Sequence, residues 1–150
     1  MWIREDMRPV AHVTGSHEHS TVFDALGIDG RQLFRQYDNF DEGTFLDYLK
    51  ELHRKFPKCY PFLDKAPPHY KSRKVQDYFN EHRDSLIPVW QPTASPEFMP
   101  VEECWNISKG HLQVLHYYSS FSKFRKSVGE YLRTKRFKLN VSNYLTKGAC

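Results

Sequence analysis

The chain of 150 residues is 39% hydrophobic and 15% aromatic, and it carries a net charge of +4. This length predicts a single domain with a buried core, and the composition excludes a disordered or collagen-like chain. The first residues, MWIREDMRPV, are charged from the fourth onward and lack the apolar core of a signal peptide, and no apolar run is long enough to span a membrane.

The chain begins with a predicted β-hairpin and helix. The segments Ser20–Asp29 and Arg31–Tyr37 are rich in strand-forming residues, and Gly30 separates them, which predicts a tight Asp29-Gly30 turn. In the run Asp41–Phe56, apolar residues recur at helical spacing, with acids near the start and bases near the end. We therefore expect a helix that Pro57 ends.

Shorter strands and helices alternate in the rest of the chain. The predicted elements are a strand at Cys59–Leu63, a rigid turn at Pro67-Pro68, a helix at Ser72–His82, a strand at Leu86–Trp90, a proline-rich connector QPTASPEFMP, and two or three helices from Val101 onward, separated near Tyr117–Ser120 and Thr134–Asn140. A hairpin followed by helix, strand, helix, strand and helices indicates an α/β fold with a sheet of mixed direction.

Two acids are placed where such a sheet binds ligands. In an α/β sheet, ligands gather at the carboxyl ends of the parallel strands. Asp64 directly follows the strand Cys59–Leu63, and the connector after the next strand leads into a helix that bears Glu102 and Glu103. Carboxylate oxygens are the ligands that Mg²⁺ and Mn²⁺ prefer, so the sequence predicts a divalent-metal site at this edge.

Helical geometry distinguishes the two glutamates. The apolar stripe of their helix consists of Val101, Cys104, Trp105, Ser108, Leu112 and Leu115. Glu102 lies at the flank of this stripe, in line with Asn106 and Lys109, whereas Glu103 points to solvent. Glu102 is therefore the better ligand candidate, and Trp105 is expected in the core rather than as a stacking platform for a base.

Charge and cysteine content leave other interpretations open. From Cys104 to Cys150, nine Lys and Arg residues stand against one acid, Glu130, so this segment carries +8 and the first 103 residues carry −4. The basic segment suits contact with phosphate, but a solvated helical face explains it nearly as well. Asp64, taken alone, is more commonly a turn or capping acid.

The three cysteines, Cys59, Cys104 and Cys150, are odd in number and widely scattered. They favour reduced thiols in a cytoplasmic protein.

Two short motifs resemble a known family. The segment FLDKAPPHY, which contains Asp64, resembles the Asp-Asn-Ala-x-x-His motif of DDE transposases in the mariner superfamily, which includes prokaryotic insertion sequences. The segment ASPEFMPVEECWN resembles that family's Ser-Pro-Glu-Leu-Asn-Pro-Ile-Glu…Trp motif, and residues 22–52 resemble its hairpin and first helix. The likeness covers essentially the whole chain, so residues 1–150 are expected to form one partial catalytic domain without an N-terminal helix-turn-helix domain.

The resemblance implies an RNase H-like fold that cleaves DNA and transfers strands with two Mg²⁺ or Mn²⁺ ions. Asp64 matches the second catalytic acid and metal ligand, Glu102 matches the third, and Glu97 matches an acid that is usually not a ligand. His69 matches the histidine that closes the first motif, and Lys65 replaces the usual asparagine. The expected partners are transposon ends and target DNA in the cytoplasm, at the nucleoid, together with a second copy of the chain in a homodimer.

The family's first catalytic aspartate has no matching residue here. It should lie in a strand before the hairpin, whereas MWIREDMRPVAHVTGSH resembles the family's second strand and loop. With strands ~4.8 Å apart, Asp24 is expected at a sheet edge, on the order of 10 Å or more from the site. Asp6 lies near the terminus, and neither acid is predicted to be a third ligand. Without its central first strand, the sheet should have a gap or two unsatisfied edges, and the chain is expected to be inactive alone.

Basic side chains are candidates for contact with the DNA backbone. The candidates are Lys65, His69, Lys109, Lys123, Arg125, Lys126, Arg133, Lys135, Arg136 and Lys138. His12, His17 and His19 have no second ligand pair at zinc spacing and are assigned to a loop. Three hypotheses remain, namely an incomplete DDE transposase domain, a non-catalytic DNA-binding or dimerising remnant, and an unrelated metal-dependent nuclease of the same fold class.

Overall fold

The computed structural model describes residues 18–92, 99–113 and 116–145. Its elements in chain order are β1 (Thr21–Leu26), β2 (Gln32–Tyr37), α1 (Glu42–Lys55), β3 (Phe62–Leu63), α2 (Pro67–Tyr70), α3 (Arg73–Glu81), β4 (Val89–Trp90), α4 (Pro100–Leu112), α5 (Phe121–Thr134) and α6 (Ser142–Leu145). Among these residues, none of the helices is long and apolar enough to cross a membrane.

The hairpin of β1 and β2 is confirmed, but β1 ends at Leu26 rather than at Asp29, so the connection runs over residues 27–31 and is longer than the predicted Asp29-Gly30 turn. The two strands are antiparallel, and their register pairs Thr21 with Tyr37 and Leu26 with Gln32. Gly30 has φ = +80°, a left-handed conformation that a side chain disfavours, which explains why glycine occupies this turn position. The turn is closed by a backbone hydrogen bond of 2.8 Å from the N–H of Gly27 to the carbonyl of Arg31.

Helix α1 begins and ends where the sequence predicts. Asp41 caps its first turn, because its carboxylate accepts from the backbone N–H of Thr44 at 2.9 Å while the hydroxyl of Thr44 bonds back to the N–H of Asp41. The buried face of the helix consists of Phe45, Tyr48, Leu49 and Leu52. Phe56 is the last residue before Pro57, which cannot donate a backbone hydrogen bond to continue the helix.

The second pair of strands is parallel, as predicted, but it is short. Only Phe62 and Leu63 of β3 pair in ladder fashion with Val89 and Trp90 of β4, and an isolated bridge joins Cys59 to Leu86. The predicted turn at Pro67-Pro68 is instead the first turn of α2, because proline fits the first helical positions, whose N–H groups have no partner within the helix. Helix α3 matches its prediction, and Ser72 caps it.

Helices cover both faces of the hairpin. Successive residues of β2 point to opposite faces, so Leu33 packs with α1 and α3 whereas Phe34 packs with α4 and α5. The predicted boundaries between the C-terminal helices agree with the breaks between α4, α5 and α6. In the predicted stripe of α4, Cys104, Ser108 and Leu112 are buried, Val101 and Trp105 are half-buried, and Leu115 lies outside the described residues.

The two strand pairs do not join into one sheet within the described residues. Strand β1 pairs only with β2, and β3 pairs only with β4. A cavity of about 550 Å³ separates them, and it is lined by Val22–Leu26 of β1, by both residues of β3, and by Asp64. The α/β class is therefore confirmed, and both strand directions are present, but they occur in separate sheets rather than in one mixed sheet.

Candidate active site

Asp64 lies directly after β3, at the end of the cavity. Its side chain is 60% exposed, and its Oδ1 atom lies 2.6 Å from Nδ1 of His69. The same oxygen accepts a hydrogen bond of 3.3 Å from the backbone N–H of Ala66. One carboxylate oxygen is therefore bound by the protein, while the side chain remains open to solvent. The bond from Ala66, two residues on, is that of an Asx turn, and the exposed side chain leaves room for a ligand, so the arrangement suits a turn acid as well as a ligand-binding group.

His69 is held among aromatic rings. Its ring centroid lies 4.0 Å from that of Phe45 and 5.6 Å from that of Phe40. Burial lowers the pKa of His69 below its usual value, although the hydrogen bond and the charge of Asp64 oppose this shift. The side chain is only 12% exposed, which argues against the predicted contact with DNA.

Asp24 of β1 lines the same cavity as Asp64. Its pKa is raised from 3.8 to about 7, first because the carboxyl group is buried and then because the negative charges of Glu102 and Asp64 act on it. The indole Nε1–H of Trp105 donates to Oδ2 of Asp24 at 2.5 Å and favours the charged form. Within the described residues β1 pairs only with β2, so Asp24 does lie in an edge strand, and that edge borders the cavity that Asp64 also lines. Its expected distance from the site, and the expectation that it is not a third ligand, stay predictions.

Glu102 lies in the first turn of α4, three residues before Trp105. Residues three apart share one face of a helix, so the bond from Trp105 to Asp24 brings Glu102 towards β1. Glu102 and Glu103 are both exposed, so their burial does not show which of them faces β1. The pKa of Asp24 distinguishes them, because Glu102 is one of the two acids whose charge raises it. Trp105, expected in the core, is half-buried and links α4 to the acidic residues.

The donor set fits a hard divalent cation in part. Asp64 and Glu102 are exposed carboxylates, and the negative charge of each repels the ionised form of Asp24. A divalent cation would relieve that repulsion, and carboxylate oxygens are its preferred ligands. Within residues 18–92, 99–113 and 116–145, however, no three His, Cys, Asp or Glu side chains come close enough together to hold a metal ion.

The predicted DNA-contact residues are spread over several elements. Exposed members are Lys65 after β3, Lys109 in α4, Lys123, Lys126 and Arg133 in α5, and Arg136 and Lys138 beyond it. Arg125 and Lys135 are half-buried, and Arg125 pairs with Asp38 at 2.5 Å. Most of the predicted DNA-contact residues thus lie on α5 and in the segment after it.

Several predicted positions lie outside the described residues. They are Asp6, His12, His17, Glu97 and Cys150. His19 is described and exposed, and the zinc-spacing argument about this histidine cluster stays a prediction. Cys59 and Cys104 are free thiols, and burial raises the pKa of Cys104 to about 12.

The fold and its acids define a class, a mixed α/β domain with Asp64 at the end of a parallel strand and Asp24 lining the same cavity. Comparison with known families matches residues 1–125 to the family described as DDE superfamily endonuclease. The chain belongs to this family. Comparison with curated proteins gives no match, and neither does comparison with solved structures.

Sequence reasoning proposed Asp64 and Glu102 as ligands, which stays a prediction, but it missed two contacts made by these acidic residues and their neighbours. These contacts are the bond from Trp105 to Asp24 and the bond from His69 to Asp64. The separation of five residues between Asp64 and His69 gave a signal for the second contact, because a short turn brings such residues together. No local pattern signals the first contact, because it joins residues 81 positions apart.

Proposed function

We propose that this chain derives from the catalytic domain of a mariner-superfamily transposase of a prokaryotic insertion sequence, which cleaves DNA and transfers strands with Mg²⁺ or Mn²⁺. The observation that carries this proposal is that Asp24 and Asp64 line one cavity and that the charges of Asp64 and Glu102 both act on Asp24, in a chain of the DDE superfamily. The substrate would be transposon ends and target DNA in the cytoplasm, at the nucleoid.

In this proposal, Asp64 and Glu102 hold the cation, and neighbouring residues orient them. Bound there, a pair of divalent ions would activate water or a DNA 3′-hydroxyl and stabilise the leaving oxygen. Trp105 ties α4 to β1 and so keeps Glu102 near the cavity. His69 binds one oxygen of Asp64. These contacts prepare the carboxylates before any ligand arrives, which reduces the cost of ordering them.

The metal site is tested by titrating the purified chain with Mn²⁺ in a calorimeter. The wild type is compared with Asp64→Asn/Glu102→Gln and with a control pair on exposed positions of α3, Asp77→Asn/Glu81→Gln. Both pairs remove two negative charges, so a general electrostatic effect would appear in both. Saturable binding that only the first pair loses supports the proposal. Equal binding by the wild type and the Asp64→Asn/Glu102→Gln variant would refute it.

A second candidate function is a DNA-binding or homodimerising remnant without catalysis. It is favoured by the finding that no group of three potential metal ligands occurs in the described parts of the chain. In this case Lys126 and Arg133 on the exposed face of α5 would contact phosphates without reading sequence. The double variant Lys126→Gln/Arg133→Gln should then weaken binding to any duplex and lower the slope of log affinity against log salt by about 2. An unchanged salt slope would contradict this role.

The two candidates differ in one activity. A chain with a complete site nicks or joins DNA when Mn²⁺ is present, whereas a remnant binds DNA without changing it. Strand transfer by the purified chain would refute the remnant without catalysis and support the transposase. Sedimentation of the same samples with and without DNA tests the expected homodimer.

A further inference from the structure

We propose that His69 is a positioning residue, whose Nδ1–H donates to Oδ1 of Asp64 and holds that carboxylate so that Oδ2 faces a divalent cation. This inference rests on the proposed metal site. It concerns a residue for which the family comparison specifies no role, and it follows from the contacts of the imidazole ring. The distance between Nδ1 and Oδ1 is 2.6 Å, which is short for a bond between nitrogen and a carboxylate.

The two ring nitrogens of His69 have different environments. An ionised carboxylate has no proton to give, so Nδ1 must carry the hydrogen of the bond to Asp64. Nε2 is buried and has no hydrogen-bond partner among the described residues. Among these residues Nε2 has no partner in either tautomer, so the bond to Asp64 is what separates the two. The neutral ring with its proton on Nδ1 presents a donor to Asp64, whereas the other tautomer would set two acceptors against each other.

The ring cannot easily turn away from Asp64. It lies against Phe45, with centroids 4.0 Å apart, and near Phe40 and Phe23 at 5.6 and 6.1 Å. The backbone is also fixed, because the side-chain amide of Gln76 in α3 donates to the carbonyl of His69 at 3.3 Å. The short helix α2 is thus anchored to α1 through the ring and to α3 through the backbone, and Asp64 is anchored to α2.

Both donors that reach Asp64 bind the same oxygen. The N–H of Ala66 and Nδ1 of His69 both approach Oδ1, and the described contacts leave Oδ2 without a protein donor. The side chain is 60% exposed, so this second oxygen is open to a ligand. Side chains that orient a metal-binding carboxylate typically change metal affinity by roughly 10- to 100-fold when they are removed. We expect that range for His69.

Two substitutions separate the hydrogen bond from the packing of the ring. His69→Phe keeps an aromatic ring among Phe23, Phe40 and Phe45 but removes the donor. His69→Asn loses part of the packing but places an amide N–H at the distance from the backbone that Nδ1 has. If His69 positions Asp64, Mn²⁺ affinity falls roughly 10- to 100-fold in the Phe variant and is largely restored in the Asn variant. A purely structural role predicts the opposite order, because Phe preserves the packing.

The tautomer of His69 is measured on the unmodified chain by ¹⁵N NMR of the imidazole nitrogens. This test does not depend on whether the variants fold. We expect a protonated Nδ1 and a bare Nε2, and an Nε2–H tautomer would overturn the inference. If His69→Phe binds Mn²⁺ as tightly as the wild type while Asp64→Asn does not bind, the positioning role is refuted and the metal site stands. If the wild type and Asp64→Asn bind equally, the proposed metal site fails and the positioning role fails with it.

Discussion

Replacing Asp24 with Asn should make the chain more stable at neutral pH. Asp24 is a partly buried acid in β1, and the charges of Glu102 and Asp64 act on it. Its pKa is raised to about 7, so at pH 8 the folded chain must keep a charge where the surroundings disfavour one. Asparagine has nearly the same shape and keeps an oxygen that accepts the bond from Trp105.

The size and sign of this effect follow from the pKa shift of Asp24. In the unfolded chain the carboxyl group titrates near 3.8, and in the folded chain it titrates near 7. Between these values the folded state binds more protons, so the free energy of unfolding falls as pH rises through this window and levels off above it. A shift of about three pKa units corresponds to about 4 kcal/mol, and partial access of water reduces this to roughly 2–4 kcal/mol.

The assay is urea denaturation of the wild type and Asp24→Asn from pH 4.5 to 8.5. The difference in free energy of unfolding should grow by roughly 2 kcal/mol between pH 5 and pH 8, with the variant more stable. Asp77→Asn, on an exposed position of α3, serves as the control and should follow the wild type within about 0.5 kcal/mol. Parallel curves for the wild type and Asp24→Asn would show that the carboxyl of Asp24 titrates normally, and they would refute the reasoning.

Three further predictions concern the stability of the fold, each measured as the free energy of unfolding in urea. Leu49→Ala should cost roughly 2–5 kcal/mol, because the side chain of Leu49 on the inner face of α1 is fully buried. A loss below about 1 kcal/mol would contradict that packing. Asp41→Ala should cost about 1 kcal/mol through loss of the helix cap, whereas Asp41→Asn should cost much less. Gly30→Ala should destabilise the hairpin, because Gly30 has a positive φ that alanine disfavours. Gly110→Ala in α4 should instead stabilise the chain by about 0.5–1 kcal/mol, because alanine favours a helix more than glycine does. Equal effects of the two substitutions would contradict the turn geometry.

Local patterns predicted the elements of this chain well. Proline, glycine and capping residues mark the ends of α1 and α3 and the hairpin turn, because these features depend on a few neighbouring residues. Parallel pairing of the strands after α1 was also predicted, since a helix connects them. The short helix at Pro67–Tyr70 was missed, because a Pro-Pro pair suits both a turn and the first turn of a helix.

The position of Asp24 could not be predicted, because it depends on which strand neighbours which. Residue spacing in β1 fixes the face of the hairpin on which Asp24 lies, but it does not fix which element lies beside that strand. Only the packing of α4 on β1, through Trp105, and the cavity shared with β3 place Asp24 where the charges of Asp64 and Glu102 act on it. Asp64 and Glu102, in contrast, could be proposed as ligands from the ends of their own elements, since strand ends and helix starts are visible in the sequence.

The short ladder between β3 and β4 has a consequence for binding at Asp64. Two residues of each strand pair there, and the flanking bonds include Val89 N–H to Pro61 and Gln91 N–H to Leu63, at 2.8 and 2.9 Å. So few bonds give a segment a low free energy of local opening, and its amides exchange with solvent faster than those of the core. A ligand that binds Asp64 only when this ladder is closed has an apparent dissociation constant equal to its intrinsic one divided by the closed fraction, so opening of the ladder weakens binding. When a ligand binds Asp64, we therefore expect slower hydrogen exchange at the amide of Gln91, which bonds to β3 from the opposite strand.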